Sequence, residues 1–106
     1  MESCAFGVPT ITTDKAGFGL WVLNNFKNGL KNCGVTVISR EDTNYSESVE
    51  SIAKSTIDYI SQDTLNRSEA RYAAFLTAEK ADWNFFIKYY DEAFDIAFAR
   101  AKQRQK

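Results

Sequence analysis

The stretch Val8-Pro9-Thr10-Ile11-Thr12-Thr13 is short, rich in β-branched residues and bounded by Gly7 and Asp14. Such a run predicts a β-strand, and a proline is tolerated there because it occupies the start of the strand rather than its interior. A second run of the same kind, Gly34-Val35-Thr36-Val37-Ile38-Ser39, predicts a second strand. These two strands decide the fold, since the segment between them has to connect them.

The segment between the two runs is long enough for a crossover. Residues 14–19, Asp-Lys-Ala-Gly-Phe-Gly, are predicted to form a glycine-bearing loop. Residues 20–31 are predicted to form a helix, because apolar side chains recur there at helical spacing. These side chains are Leu20, Leu23, Phe26 and Leu30. A helical crossover predicts that the two strands run parallel.

The rest of the chain, from about residue 44, contains no glycine or proline and is predicted to form three helices. Asn44 with Glu47, and Asn66 with Glu69, have the spacing of a capping box. Asp82 is predicted to cap the last helix. The apolar stripe of that helix is expected to pack within this chain or against another domain. The predicted apolar faces are Val49, Ile52, Ala53, Ile57 and Ile60 on the first helix, Tyr72, Phe75 and Leu76 on the second, and Trp83, Phe86, Ile87, Tyr90, Phe94, Ala97 and Phe98 on the third.

Strand, crossover, strand and helix is the order of elements in a doubly wound α/β fold. Two strands are too few for such a sheet. The sequence therefore predicts a partial Rossmann-like α/β fold with two parallel strands, followed by C-terminal helices. The chain has eight Phe, five Tyr and two Trp, and most of these side chains need burial. A chain of this size buries only about 65% of its unfolded surface, so either its core is unusually aromatic or some aromatic surface meets another domain.

The composition excludes several classes of function for these 106 residues. Thirteen basic against fourteen acidic residues give a net charge of -1, which lacks the basic excess typical of nucleic-acid binders. There is no histidine, so Ser-His-Asp and Cys-His catalysis and histidine zinc sites are excluded. Cys4 and Cys33 have no metal-ligand spacing and predict a reduced, cytoplasmic setting. No apolar run reaches the roughly 18 residues of a membrane span, so we expect no membrane partner.

Four motifs resemble one enzyme family. Residues 2–13 resemble the segment after the nucleotide site in retaining GT-B glycosyltransferases: a glutamate at a helix start, then Gly-x-Pro, then a strand. Residues 14–19 resemble the Ser-Gly-Phe-Gly loop of the glycogen synthase family, with Ala16 in place of the serine. Residues 34–40 resemble the family strand that ends in an arginine. Asp82-Trp83 followed by Tyr89-Tyr90 has the spacing of the family's Asp-Trp and Tyr-Tyr pairs, so the resemblance covers nearly the whole chain.

The resemblance implies the C-terminal part of a glycogen-synthase-like glucosyltransferase. Such an enzyme transfers glucose with retention from a nucleotide sugar, UDP-glucose or ADP-glucose, to an α-1,4-glucan, in a cleft between two Rossmann-like domains. Residues 1–65 would be the end of the nucleotide-sugar-binding (GT-B C-terminal) domain, and residues 66–106 a C-terminal helical extension. The isolated chain is expected to be inactive, because half of a cleft cannot exclude water or orient two substrates. A homo-oligomer is compatible with this interpretation.

Glu2 is the substrate-binding residue that the resemblance implies. It matches the second glutamate of the family's Glu-x7-Glu motif, whose implied role is to accept hydrogen bonds from the ribose hydroxyls of the donor. A carboxylate can accept from two vicinal hydroxyls, and its charge strengthens both bonds. The first glutamate of the motif would precede Met1. We therefore expect no catalytic residue, no metal ligand and no cofactor in this chain.

One departure from the family bears on regulation. In the eukaryotic enzymes the helix before Asp-Trp carries an arginine cluster that binds a sugar-phosphate activator. Here that region holds only Arg67 and Arg71, with Ala73 and Leu76 where arginines would stand. The difference predicts that this control is absent, which would fit a bacterial enzyme. Two alternatives stay open: a free-standing interaction module that dimerises through its aromatic stripe, and a different retaining GT-B glycosyltransferase.

Overall fold

The computed structural model describes residues 1–105 and folds them as a mixed α/β chain around one two-stranded sheet. The molecule measures 64 Å along its longest axis, against 34 Å and 19 Å along the other two. None of the helices described has both the length and the apolar character needed to cross a bilayer. The elements in chain order are α1 (Glu2–Ala5), β1 (Thr10–Thr13), α2 (Gly17–Asn25), α3 (Leu30–Cys33), β2 (Val35–Ile38), α4 (Tyr45–Ile60), α5 (Thr64–Lys80) and α6 (Trp83–Arg104).

Strands β1 and β2 pair in parallel, with Thr10 opposite Val35 at their first residues. This confirms the prediction of two parallel strands. Each strand has four residues and is shorter than the run that predicted it. Pro9 stays outside β1, since proline has no N–H for a ladder. Gly34 stays outside β2 because it ends α3 in the left-handed conformation, at φ +71°.

The crossover consists of two short helices and not of the single helix predicted over residues 20–31. α2 begins at Gly17, inside the segment predicted as a loop, and ends at Asn25. The chain is extended at Phe26, and α3 begins only at Leu30. The prediction failed because contacts between β2 and the residues that link α2 to α3 fix this break. The helical spacing of apolar residues in the sequence does not reveal such contacts.

The connector between α2 and α3 closes the edge of β2 that faces away from β1. The side-chain amide of Asn28 donates to the carbonyl oxygen of Val37 at 3.0 Å, and its oxygen accepts the Val37 N–H at 2.8 Å. Beside it, the N–H of Gly29 donates to the carbonyl oxygen of Val35 at 3.1 Å. Gly29 has φ +137°, which favours glycine. β2 is therefore an edge strand on whose outward side a loop bonds the carbonyl of Val35 and both backbone groups of Val37.

α5 packs closely against α1 and α3. A Cβ added to Gly34 would overlap the backbone of Ala74, so these two segments touch without side chains between them. The hydroxyl of Thr77 donates to the carbonyl oxygen of Cys33 at 2.6 Å and satisfies an acceptor at the end of α3. The close approach depends on small buried residues, which are Ala70, Ala74, Thr77 and Ala81.

The start of α5 differs from the prediction. The helix begins at Thr64, and the carboxylate of Asp63 accepts the N–H of Asn66 at 2.8 Å. Asn66 and Glu69 therefore lie within the helix and do not form its cap. Asp63 and Asn66 are both good capping residues, three positions apart. The helix begins after Asp63 because the earlier start adds helical hydrogen bonds.

The buried core draws residues from α1, α2, α3, β2 and α5. Trp21 extends it towards α6, because its ring lies 5.4 Å from that of Phe26 and 5.5 Å from that of Phe86. The cluster consists of Cys4, Val22, Cys33, Val35, Val37 and Ala74, with Phe18, Trp21, Phe26 and Ala78 packed against it.

The apolar faces of α4 and α6 remain exposed. α4 meets β2 through a polar face, on which Ser48 is buried and Ser55 donates to the hydroxyl of Thr36 at 3.2 Å. Asp82 precedes α6 as predicted, but its side chain makes no capping hydrogen bond and the helix buries no residue. Large apolar surface therefore faces solvent: Val49, Ile52, Ile57 and Ile60 on α4, and Trp83, Ile87, Tyr90, Phe94 and Phe98 on α6.

Candidate functional site

Glu2 lies in the first turn of α1, and its side chain is exposed. The next two residues fix the helix to the start of β1. The Oγ of Ser3 lies 2.8 Å from Oγ1 of Thr10, and the thiol of Cys4 donates to the same oxygen at 3.4 Å. Cys4 is also fully buried in the core. The fold therefore holds the backbone at Glu2 in place and leaves the carboxylate accessible to solvent.

The clefts beside α1 lie at its other end. One of about 450 Å³ is lined by Phe6, Arg71 and Tyr72, among others. Nε of Arg71 donates to the carbonyl oxygen of Gly7 at 3.4 Å and so joins α5 to the turn after α1. Glu2 lines neither this cleft nor its neighbour, so the structure does not bring it into a preformed cavity. The neighbouring cleft, of about 420 Å³, is lined by Ala5, Phe75, Ala78, Glu79 and Asp82.

Gly17-Phe18-Gly19 forms the first turn of α2 and not a loop. A Cβ added to Gly19 would overlap the carbonyl of Thr13, so this glycine sets how closely α2 approaches β1. No atom lies within 4 Å of a Cβ built on Gly17, which is exposed. In open parallel sheets, ligands bind beyond the carboxyl ends of the strands, where this turn lies. Close packing against β1 therefore explains why position 19 is a glycine, but it does not explain the glycine at position 17.

Asp14 links the carboxyl ends of the two strands. Its N–H donates to the carbonyl oxygen of Ile38 at 3.0 Å, and its carboxylate accepts the N–H of Arg40 at 3.0 Å. The second bond spans the sheet, between residues 26 positions apart in the chain. No sequence pattern indicated this role, because the partner is a backbone amide and any residue type could supply it.

Asn44 organises the loop after β2 and does not cap α4 in the predicted manner. Its oxygen accepts the N–H of Glu41 at 2.6 Å and a guanidinium N–H of Arg40 at 3.1 Å. Its amide donates to the carbonyl oxygen of Ser39 at 2.8 Å. The Arg40 guanidinium also lies 5.8 Å from the centre of the Tyr45 ring. Arg40, the arginine of the predicted strand end, is thus held against its own loop.

The two cysteines are buried and carry no disulfide. The Cys33 thiol donates to the carbonyl oxygen of Val35 at 3.3 Å. Burial raises the pKa of Cys33, which disfavours the reactive thiolate. In the part of the chain that the structure describes, no group of three or more His, Cys, Asp or Glu side chains is placed to hold a metal ion.

The Asp-Trp and Tyr-Tyr pairs come together on the first two turns of α6. The rings of Trp83 and Tyr90 lie 5.1 Å apart on one side of the helix. Tyr89 packs 6.4 Å from Phe85 on another side, where the Lys88 ammonium lies 4.1 Å from the Phe85 ring centre. These contacts all lie within one helix, so they explain its local order and leave its outer surface without a partner in residues 1–105.

Comparison with known proteins identifies relatives along the whole described chain. A family model described as glycogen synthase matches residues 1–105. A curated relative from Dictyostelium discoideum, named Glycogen [starch] synthase, is 27% identical to this chain over 100 residues. The match covers 94% of this chain and 11% of the relative. No solved structure matches the chain.

Proposed function

The chain belongs to the glycogen synthase family, and from that premise we propose that it is the C-terminal portion of a glucosyltransferase. The enzyme transfers glucose, with retention, from UDP-glucose or ADP-glucose to an α-1,4-glucan. The observation that carries the proposal is the family match over residues 1–105. The relative's much greater length, of which this chain spans 11%, supports a portion rather than the whole enzyme.

The proposed architecture has residues 1–65 completing a Rossmann-like domain of the GT-B type and residues 66–106 forming a helical extension. Two parallel strands joined by a helical crossover support the first part. The exposed apolar faces of α4 and α6 support a neighbouring domain, because soluble proteins rarely leave such large apolar patches uncovered. α5 connects the two parts, since it packs on α1 and α3.

Glu2 is the proposed ligand of the donor ribose. Its support is positional: the carboxylate is exposed, while Ser3 and Cys4 anchor the helix to Thr10. An anchored backbone with a solvent-accessible carboxylate suits a group that accepts hydrogen bonds from two vicinal hydroxyls. We place the groups that carry out glucose transfer outside these 106 residues, so the isolated chain should be inactive.

The cellular setting is part of the same proposal. We place the enzyme in the cytoplasm, which two buried free cysteines support. We also propose that it lacks sugar-phosphate control, as a bacterial enzyme would. Arg67 and Arg71 are the only arginines of α5, and Arg71 is engaged by Gly7.

A transfer assay tests the function. The longer polypeptide encoded with this segment and the isolated 106-residue chain are each given radiolabelled UDP-glucose or ADP-glucose and glycogen. We expect label in glycogen only with the longer polypeptide. Transfer by the isolated chain would show that the missing parts have been assigned wrongly, and transfer by neither would count against the glucosyltransferase.

A second candidate function is a free-standing interaction module. The absence of any buried residue along α6, among those described, favours it, because two copies could cover each other's aromatic surface. Sedimentation of the isolated chain tests this: a stable dimer that the substitution Phe94→Ala dissociates would favour the module. A monomer would instead favour the interpretation that another domain of the same enzyme covers the aromatic stripe of α6.

A further inference from the structure

Thr10, the first residue of β1, carries a side-chain hydroxyl whose hydrogen-bonding capacity is fully used. The hydroxyl donates to the carbonyl oxygen of Val8 at 3.0 Å. A threonine hydroxyl has one proton and two acceptor lone pairs, so Thr10 is the acceptor in its other two contacts. These contacts are with the hydroxyl of Ser3 at 2.8 Å and the thiol of Cys4 at 3.4 Å. One oxygen atom therefore holds two consecutive residues of α1.

Thr10 is itself fixed to the sheet, so it can fix α1 relative to the sheet. Its backbone N–H donates to the carbonyl oxygen of Gly34 at 2.9 Å, and its Cα lies opposite that of Val35 in β2. α1 has only four residues, and no side chain caps its N-terminus. A helix this short has little stability of its own. Its orientation consequently depends on its contacts with the rest of the fold.

The two residues that Thr10 holds lie on the side of α1 opposite Glu2. Successive residues of an α-helix are about 100° apart around its axis, so the midpoint of Ser3 and Cys4 lies roughly 150° from Glu2. A side chain at the outer limit of a helix lies about 5–6 Å from the axis, so a rotation of about 10° moves it by about 1 Å. A shift of this size in a group that positions a substrate is costly. The rotation of α1 therefore matters for Glu2.

We propose that Thr10 is a positioning residue for the donor site. Its hydroxyl sets the rotation of α1 and so aims the Glu2 carboxylate at the ribose, without touching the nucleotide sugar itself. Burial of Cys4 would keep α1 against the core without this hydroxyl, but apolar packing is not directional, whereas hydrogen bonds are. The inference rests on the proposed role of Glu2 as the ligand of the donor ribose.

Equilibrium binding of UDP or ADP to the longer polypeptide, measured by calorimetry, tests the proposal. Thr10→Val keeps the shape of the side chain and removes the hydroxyl, so the Kd of the nucleotide should rise about tenfold. Thr10→Ser retains a hydroxyl and should bind like the wild type. The 2′,3′-dideoxy nucleotide lacks the groups that Glu2 would bind, so Thr10→Val should change its Kd by no more than about twofold. Equal losses for both nucleotides, or none for either, would overturn the proposal.

Two further variants separate positioning from stability and from the proposed function. Thr36→Val in β2 also removes a hydroxyl that bonds another hydroxyl, that of Ser55 at 3.2 Å, and its Kd should match the wild type. Glu2→Gln combined with Thr10→Val should bind no more weakly than Glu2→Gln alone, because both changes act on the same contact. A further loss in the double variant would contradict the proposal. Nucleotide binding in the expected pattern without any glucose transfer would keep the role of Thr10 and refute the proposed glucosyltransferase.

Discussion

The hydroxyl of Thr77 donates to the carbonyl oxygen of Cys33 at 2.6 Å, and this bond joins the last turn of α5 to the end of α3. Thr77 is 1% exposed, so neither group can turn to water instead. One position later, Gly34 touches the backbone of Ala74. The two contacts make α5 part of the same folded unit as the sheet.

Replacing Thr77 by Val keeps the shape of the side chain and removes the donor, so the carbonyl of Cys33 is left buried without its partner. We expect the free energy of unfolding to fall by about 1–3 kcal/mol in urea titrations. Thr56→Val is the control, because exposed Thr56 bonds only the carbonyl of Ile52 in its own helix. It should stay within about 0.5 kcal/mol of the wild type. Equal losses in the two variants would show that the bond between α5 and α3 adds no stability.

Three glycine-to-alanine substitutions distinguish the glycines that pack against a neighbouring segment from the one that faces open space. Gly34→Ala would strain a left-handed residue and overlap Ala74, and Gly19→Ala would overlap Thr13. Each should cost about 2 kcal/mol or more in unfolding free energy. Gly17→Ala meets open space in a helix and should stabilise by up to about 1 kcal/mol. A Gly17→Ala variant as unstable as the other two would mean that α2 does not begin as described.

The sequence predicted those elements whose positions depend on residues close together in the chain. The β-branched runs located both strands, and Asp82 located the start of α6. The break after Asn25 could not be predicted, because the Asn28 carboxamide acts through Val37, nine residues away. The cap at Asp63 competed with an equally good one at Asn66.

In the candidate site, too, some residue roles could be predicted from the sequence and others could not. Glu2 was assigned by resemblance to a family motif of which only the second glutamate lies in this chain, and the assignment stays a prediction. The roles of Asp14 and Asn44 depend on backbone partners that carry no sequence signature. The exposure of the α6 stripe could not be predicted either, since its helical spacing is the same whether the partner lies within the chain or outside it.

The buried thiol of Cys33 predicts a dependence of stability on pH. Its pKa is raised above its ordinary value of 9.0, chiefly by burial, so the folded state holds this proton more tightly than the unfolded chain does. The resulting stability is fully present below the unfolded pKa and is lost as the pH rises from there through the folded pKa. The free energy of unfolding should therefore fall above about pH 9, and fall less steeply in Cys33→Ala. Parallel curves for the two proteins would contradict this assignment.

The aromatic stripe of α6 should respond to mutation differently in the two contexts. Phe94 is 56% exposed in this chain, so Phe94→Ala should change its unfolding free energy by no more than about 0.5 kcal/mol. In the longer polypeptide, where we propose that another domain covers the stripe, the same change should cost about 3 kcal/mol. Gln103→Ala, on the same helix, should have little effect in both. A small effect of Phe94→Ala in the longer polypeptide would mean that the stripe stays uncovered.

Glu2→Gln in the longer polypeptide tests the donor-ribose assignment. Loss of the charge weakens two hydrogen bonds, so the KM for the nucleotide sugar should rise roughly tenfold or more. Glu47→Gln is the matched control, because Glu47 is also an exposed glutamate in the first turn of a helix. Its kinetics should match the wild type. An unchanged KM in Glu2→Gln would remove Glu2 from the donor site without affecting the family assignment.

The most direct test of glucosyl transfer is the structure of the product. The longer polypeptide is incubated with UDP-glucose or ADP-glucose and a maltooligosaccharide, and the anomeric protons of the product are followed by NMR. We predict new α-1,4-linked glucose, formed with retention, and none with the 106-residue chain alone. A β-linked product, or a donor that is never consumed in the presence of acceptor, would contradict the account.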